Sequence, residues 1–165
     1  MKLTDREWKA FRIGTLFEVK GTVTTKPGAL IAGGNTPRIT CSATNNGLDK
    51  FYYNIPTETG NVLTVDSAAI GFVAYQEHDF IATDHVEKLV LKKHGLSLPL
   101  GLFMKSVIDK AAGGKFNYGY GFSQDRIKRQ IVMLPVTDDG EPDYDFMEQY
   151  IKDLMLQKYF QYMFF

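Results

Sequence analysis

Two spacings of apolar positions divide the chain. From Trp8 to Leu91, apolar and polar residues tend to alternate in short runs that end at Gly, Pro or Asn, which predicts short antiparallel strands. From Ser97 onward the spacing turns helical. Leu100, Phe103, Met104, Val107, Ile108 and Ala111 predict a helix over 98–112, with Pro99 in its first turn and Gly113-Gly114 ending it. A last helix is expected from Pro142 to about Tyr162, where Phe146, Met147, Tyr150, Ile151, Leu154 and Met155 form a stripe behind an acidic first turn.

The strand half is organised around Gly33–Gly47, GGNTPRITCSATNNG. Gly33-Gly34-Asn35 predicts a tight opening turn, Pro37 to Ser42 a strand, and Thr44-Asn45-Asn46 a polar exit loop. Ile39 and Cys41 would point inward, with Arg38, Thr40 and Ser42 outward. Further strands are expected at Phe51–Ile55, Val62–Val65, Gly71–Gln76, within Phe80–Leu91, and at Gln130–Pro135. Ahead of them Trp8, Phe11 and Ile13 alternate, and Thr15 reads as the N-cap of one or two helical turns reaching Val19. The expected class is α+β: a curved, mostly antiparallel β-sheet with one or two packed helices, followed by a C-terminal helix. A domain over 1–140 and a helix over 141–165 are the expected divisions.

At 165 residues and 44% apolar content the chain is long enough for one domain with a sizeable core. No run of about 18 apolar residues predicts a transmembrane helix, and MKLTDREWKAF lacks the apolar centre of a signal peptide, so no membrane partner is expected. The single cysteine, Cys41, excludes a disulfide framework and suits a small core residue of a cytosolic protein.

Net charge is zero, but it is unevenly placed: residues 138–165 hold seven of the nineteen acids and only two of the nineteen bases. A mildly basic body with an acidic tail is compatible with nucleic acid. The outward guanidinium, hydroxyls and amides around Arg38 suit phosphate oxygens and base edges. A solvated edge strand ending in an Asn-Gly turn is the plainer reading of the same residues. The loop Lys115–Phe122, KFNYGYGF, mixes a base, an amide and tyrosines with glycines. It could stack on nucleic acid or simply pack on a sheet.

Catalytic patterns are sparse. Glu18-Val-Lys20 has the Glu-x-Lys spacing of metal-dependent nucleases, but Asp5 is its only upstream acid. His78, His85 and His94 lack ligand spacing, and Asp84-His85 reads as a turn. Cys41 in a strand lacks the helix N-terminus that would lower a nucleophile's pKa. No metal and no cofactor are expected.

In order along the chain, Trp8 with Phe11–Phe17, Gly34–Thr40, Asn45–Gly47, Gly71–Gln76 with Phe80–Val86, Phe116–Gly119, Leu134–Val136 and Gly140–Asp143 resemble the target-recognition domains of type I restriction-modification specificity subunits, in their type IIB form. The resemblance covers most of the chain. It implies a non-catalytic domain that recognises double-stranded DNA, and a helix that spaces it from a second such domain and docks methyltransferase or nuclease subunits. A homodimer through that helix would read a symmetric site. On this reading Lys26, Arg38, Lys115, Arg126, Lys128 and Arg129 would contact phosphates. Thr40, Ser42, Thr44, Asn45, Asn46, Gln76, Asn117 and Tyr118 would approach base edges. The rivals are a small metal-dependent nuclease using Glu18 and Lys20, and a protein-interaction module using the last helix.

Overall fold

The structure, a computed structural model, describes residues 1–164. Strands β1 (Trp8–Arg12) and β9 (Ile131–Pro135) pair antiparallel, Trp8 opposite Pro135, joining the start of the body to its end. Strands β2 (Phe17–Gly21), β5 (Val62–Asp66), β6 (Val73–Gln76) and β8 (Val86–Leu91) form an antiparallel sheet in the order β2-β8-β5-β6. A third sheet has the order β4-β3-β7, from β3 (Ala32–Ile39), β4 (Leu48–Tyr52) and β7 (Ile81–Ala82); its β3–β7 pair is parallel. The helices are α1 (Ile13–Leu16), α2 (Leu98–Ala112), α3 (Gln124–Arg129) and α4 (Tyr144–Met163). The α+β class with mainly antiparallel pairing is what the chain forms, its strands shared among three sheets.

The four-stranded sheet is covered on both faces. Val19, Leu89, Leu63 and Tyr75 stand in register across it, on the face that meets Leu100, Phe103, Met104 and Ile108 of α2 in the larger core. Val62 and Val86 belong to a second core with Ile39, Phe80 and Ala82. All five residues of β5 are therefore buried, which is why VLTVD lacks a clean alternation. Each such fully buried aliphatic side chain contributes roughly 1.5–3 kcal/mol. Gly101 lies where α2 crosses β6: a Cβ there would sit 2.4 Å from the Tyr75 ring, whose hydroxyl donates to Asn61 Oδ1 at 2.7 Å.

An ion pair on a buried carboxylate locks the connecting segments. Glu58 accepts the Val23 N–H at 2.6 Å and pairs with the Lys88 ammonium of β8. Thr25 N–H donates to Ala82 O and Thr22 N–H to Val86 O, so the loop after β2 is stitched to both sheets.

Several boundaries differ from expectation, each for a local reason. The expected helix from Thr15 to Val19 is instead α1 followed by β2, because Phe17 and Val19 are buried while Glu18 and Lys20 are exposed, a two-residue period. Thr15 caps nothing; its hydroxyl donates to Arg12 O at 2.7 Å. Gly33-Gly34-Asn35 is no opening turn but a bulge inside β3: Ala32 and Thr36 both pair with Tyr52, and Gly33 and Gly34 take φ of 88° and 84°. The strand ends at Ile39, not Ser42, since the Thr40 hydroxyl accepts the Ser42 N–H and turns the chain. β4 occupies 48–52 rather than 51–55, leaving Ile55 86% exposed. Phe80–Leu91 splits into β7 and β8 at a turn where His85 has φ 61°. Helix α4 starts at Tyr144, capped by Asp143, whose carboxylate accepts the Phe146 N–H at 2.9 Å and the Arg6 Nε–H at 2.7 Å.

Only the first turns of α4 are anchored. Phe146 and Met147 are buried, but every residue from Leu154 to Phe164 is exposed, among them Met155, Leu156, Tyr159, Phe160 and Tyr162. An apolar groove of about 580 Å³ opens beside the anchored part, between α2, β9 and α4, with Trp8, Val107, Ile131, Met133, Ile151 and Leu154 on its walls. Phe165, the last residue of the predicted helical domain, lies outside the described residues. No helix among the described residues is long and apolar enough to cross a membrane.

Candidate nucleic-acid interface

The predicted polar residues gather into two groups. The first is the loop 40–47 between β3 and β4. The Thr40 hydroxyl donates to Gly47 O at 3.1 Å, the Ser42 and Thr44 hydroxyls lie 2.9 Å apart, and the Thr44 N–H donates to Ser42 Oγ at 3.2 Å. Asn45 and Asn46 adopt φ of 50° and 55°, a conformation Asn tolerates well. Asn45 Nδ2 donates to Leu48 O, and Asn46 Nδ2 reaches across to Tyr75 O at 2.7 Å. Gln76 is different from its expected role: it is 6% exposed, and its amide donates to Asn46 O and Thr64 Oγ1. It braces the loop from below.

Arg38 does not stand free either. Its side chain is 13% exposed, Nη1 donates to Asp49 Oδ2 at 3.0 Å, and the buried Nε has no partner. The Tyr52 hydroxyl donates to the same Asp49 oxygen at 3.2 Å, and burial followed by that carboxylate raises the Tyr52 pKa. Asp49 and Tyr52 were invisible as partners of Arg38 in the sequence, because the β3 bulge sets the register that brings them together.

The second group is the segment 115–130. Asn117 and Tyr120 exchange backbone hydrogen bonds around a two-residue turn, Tyr118-Gly119, where Gly119 takes φ 96° and Tyr118 is 90% exposed. Phe122, Phe116 and Tyr120 stack in succession, at centroid distances of 4.2 and 6.2 Å, and the Arg126 guanidinium covers Tyr120 at 3.6 Å. Lys115, Lys128 and Arg129 are exposed, while Arg126 is partly buried. Lys26 is exposed on a separate turn, Pro27–Ala29, and no hydrogen bond joins it to either group.

Exposed and half-buried polar contacts tie the two groups together. Cys41 Sγ approaches His85 O at 3.3 Å; Ser67 Oγ lies 3.0 Å from both His85 O and Glu87 Oε1; Gln124 Nε2, in the first turn of α3, donates to Glu87 Oε2 at 2.7 Å. Ser67, Glu87 and Gln124 carried no sequence signal, since their role exists only once β5 and β8 pair. Burial, then the Asp66 carboxylate, pushes the Cys41 thiol up to about 12, so it is a protonated packing group and no nucleophile at neutral pH.

Glu18 and Lys20 pair with each other at 2.8 Å on the exposed face of β2. Among the described residues, no three His, Cys, Asp or Glu side chains converge as a metal site would require.

The family model of the type I restriction modification DNA specificity domain matches residues 5–160. The specificity subunit S.BcgI of a type II restriction enzyme from Heyndrickxia coagulans is 36% identical over 152 residues, which are 90% of this chain and 44% of that protein. The crystal structure of a type I restriction-modification S subunit from M. genitalium shares the fold, with TM-score 0.63 and 13% identity over 98% of this chain and 42% of its own. The HsdS subunit from Thermoanaerobacter tengcongensis is similar at TM-score 0.63 and 10% identity, over 91% of this chain and 38% of its own. The chain thus spans less than half the length of these relatives. With the family model matching nearly its whole length, the chain belongs to the type I restriction-modification DNA specificity domain family.

Proposed function

We propose that the chain is a sequence-specific double-stranded DNA-binding component of a restriction-modification system, one that binds without catalysis and directs methyltransferase or nuclease subunits. Residues 1–140 would form the recognition domain and 141–165 the spacer helix. The observation that carries this reading is the hydrogen-bonded linkage of two polar groups, loop 40–47 and segment 115–130, in a chain of this family. Loop 40–47 would present Thr40, Ser42, Thr44, Asn45 and Asn46 to base edges, with Asn117 and Tyr118 beside them. Lys26, Lys115, Arg126, Lys128 and Arg129 would meet phosphates, and Arg38 would contribute from its place beside Asp49.

The test is selection from random duplexes at two salt concentrations. One enriched motif, bound less tightly as salt rises, is the expected outcome. Absence of any DNA binding at either salt defeats the proposal. In a folded Arg38→Ala protein, affinity for the selected motif should fall several-fold, and its salt dependence should weaken by about the share of one phosphate contact. Equal affinity removes it from the interface. Plasmid incubated with the protein and magnesium should remain uncut.

A second surface supports assembly. The exposed length of α4 and the groove that continues it supply apolar area for a partner helix, from a second copy or from another subunit. Should DNA binding fail, this surface is what remains, and the chain would be an interaction module.

A further inference from the structure

The turn between β7 and β8, Thr83-Asp84-His85, belongs to neither polar group, yet both are fastened to it. On one side the Thr83 N–H donates to Ile39 O at 3.0 Å, at the root of loop 40–47, and Cys41 Sγ approaches His85 O at 3.3 Å. On the other, the N–H and the hydroxyl of Ser67 both donate to His85 O, at 2.9 and 3.0 Å. Ser67 in turn abuts segment 115–130: a Cβ on Gly121 would stand 2.2 Å from Ser67 O. The turn therefore lies between the two groups.

Its backbone is held in a costly shape. His85 has φ 61°, a region that strains residues other than glycine and, to a lesser degree, asparagine. Among the described residues the other non-glycines with positive φ, Asn45, Asn46 and Asn61, are all asparagines. Three donors on one carbonyl over-determine the turn, the circumstance in which strain persists, and such strain gathers at ligand contacts. What the turn gains is display. The Asp84 and His85 side chains are 75% and 63% exposed, with Asp84 Oδ2 3.7 Å from His85 Nε2. Neither side chain makes a hydrogen bond among the described residues.

An exposed carboxylate in the middle of a DNA-binding surface is repelled by phosphates, but it matches the amino group of cytosine, whose N4 donates in the major groove. Adenine fits it less well, because the acceptor N7 flanks its amino group. The neighbouring imidazole, with its proton on Nε2, donates to the O6 or N7 of the paired guanine. We infer that Asp84 and His85 are base-reading residues, and that together they read one C·G pair, the carboxylate on cytosine and the imidazole on guanine. This rests on the DNA-binding reading above and adds a third element between its two polar groups.

The test carries the parent chain, Asp84→Asn and His85→Gly through the selection from random duplexes. Affinities are then measured for the parent's motif and for each single-pair change in it. The parent should show one C·G pair whose inversion to G·C weakens binding about tenfold or more. Both variants should lose most of the preference at that pair and keep the preferences elsewhere. Asp84→Asn should bind a scrambled duplex at least as tightly as the parent, because one negative charge near the phosphates is gone. His85→Gly should melt no lower than the parent, because glycine adopts this backbone freely. A purely structural turn predicts altered stability with every base preference intact. Unchanged preferences in both folded variants overturn the inference, as does weakening by one factor at every position, or a lost preference at a pair other than C·G. A parent that binds no DNA sinks this inference with the reading beneath it; a motif that parent and variants share sinks this inference alone.

Discussion

Buried polar side chains fix connecting segments that the sequence leaves undefined. Glu58 has a side chain 1% exposed and carries both the Val23 N–H and the Lys88 ammonium. Glu58→Ala would strand a cation that is 20% exposed, and unfolding in urea should show a loss of about 2–3 kcal/mol, below the 3–5 of a fully dry pair because water reaches Lys88. Cys41 tests the same principle chemically. Its thiol is raised to about 12, so its protonated form is favoured by folding, and that contribution is present at neutral pH and lost as pH climbs through the folded value. Iodoacetamide at pH 8 should therefore modify the native protein about a hundredfold more slowly than the unfolded chain. A similar rate in both states would place the thiol outside the pocket formed with Asp66. Neither residue's partners could be assigned from the sequence: Glu58 lies between two expected strands and Cys41 within one, and only the sheet pairing brings the partners in.

Among the elements, α2 was legible to the residue because every signal agreed: a helical period, Pro99 at its start and a Gly pair at its end. Ser97 also accepts the Leu100 N–H, a cap the sequence permits. β3 was not legible, since its bulge depends on two residues sharing Tyr52, a choice made by the hairpin and not by local preference. Gln76 shows the same limit. It lies in a strand whose four residues are all buried, and a polar residue there is taken up by the nearest loop. Gly101 gives a prediction at this scale. Alanine would gain about 1 kcal/mol in helix propensity, but its methyl would overlap a Tyr75 ring fixed by Asn61, at a cost of about 1–3 kcal/mol. Net destabilisation of Gly101→Ala, read from the urea midpoint, is expected; a gain in stability would mean that β6 yields.

The whole molecule is a body with a half-supported rod. About half of α4 rests on α2, and the rest exposes apolar groups on several sides, which few isolated surfaces do. Sedimentation at rising concentration should reveal self-association, and Tyr159→Glu with Phe160→Glu should abolish it without lowering the melting temperature of the body, because neither side chain is buried there. A monomer at all concentrations would leave the helix for another subunit. The resemblance to specificity subunits was legible from motifs spread over most of the chain, whereas the groove beside α4 was not. Its walls come from β1, β9, α2 and α4, which meet only after the chain ends close.

The hydroxyls of loop 40–47 bond to one another and to their own backbone, while Asn46 and Gln76 clasp the loop to β6. Any single replacement at Thr40, Ser42 or Asn46 therefore alters the path of the chain as well as the groups it displays. Such a surface resists gradual drift. A change in what the loop displays therefore requires several of its residues to be replaced together.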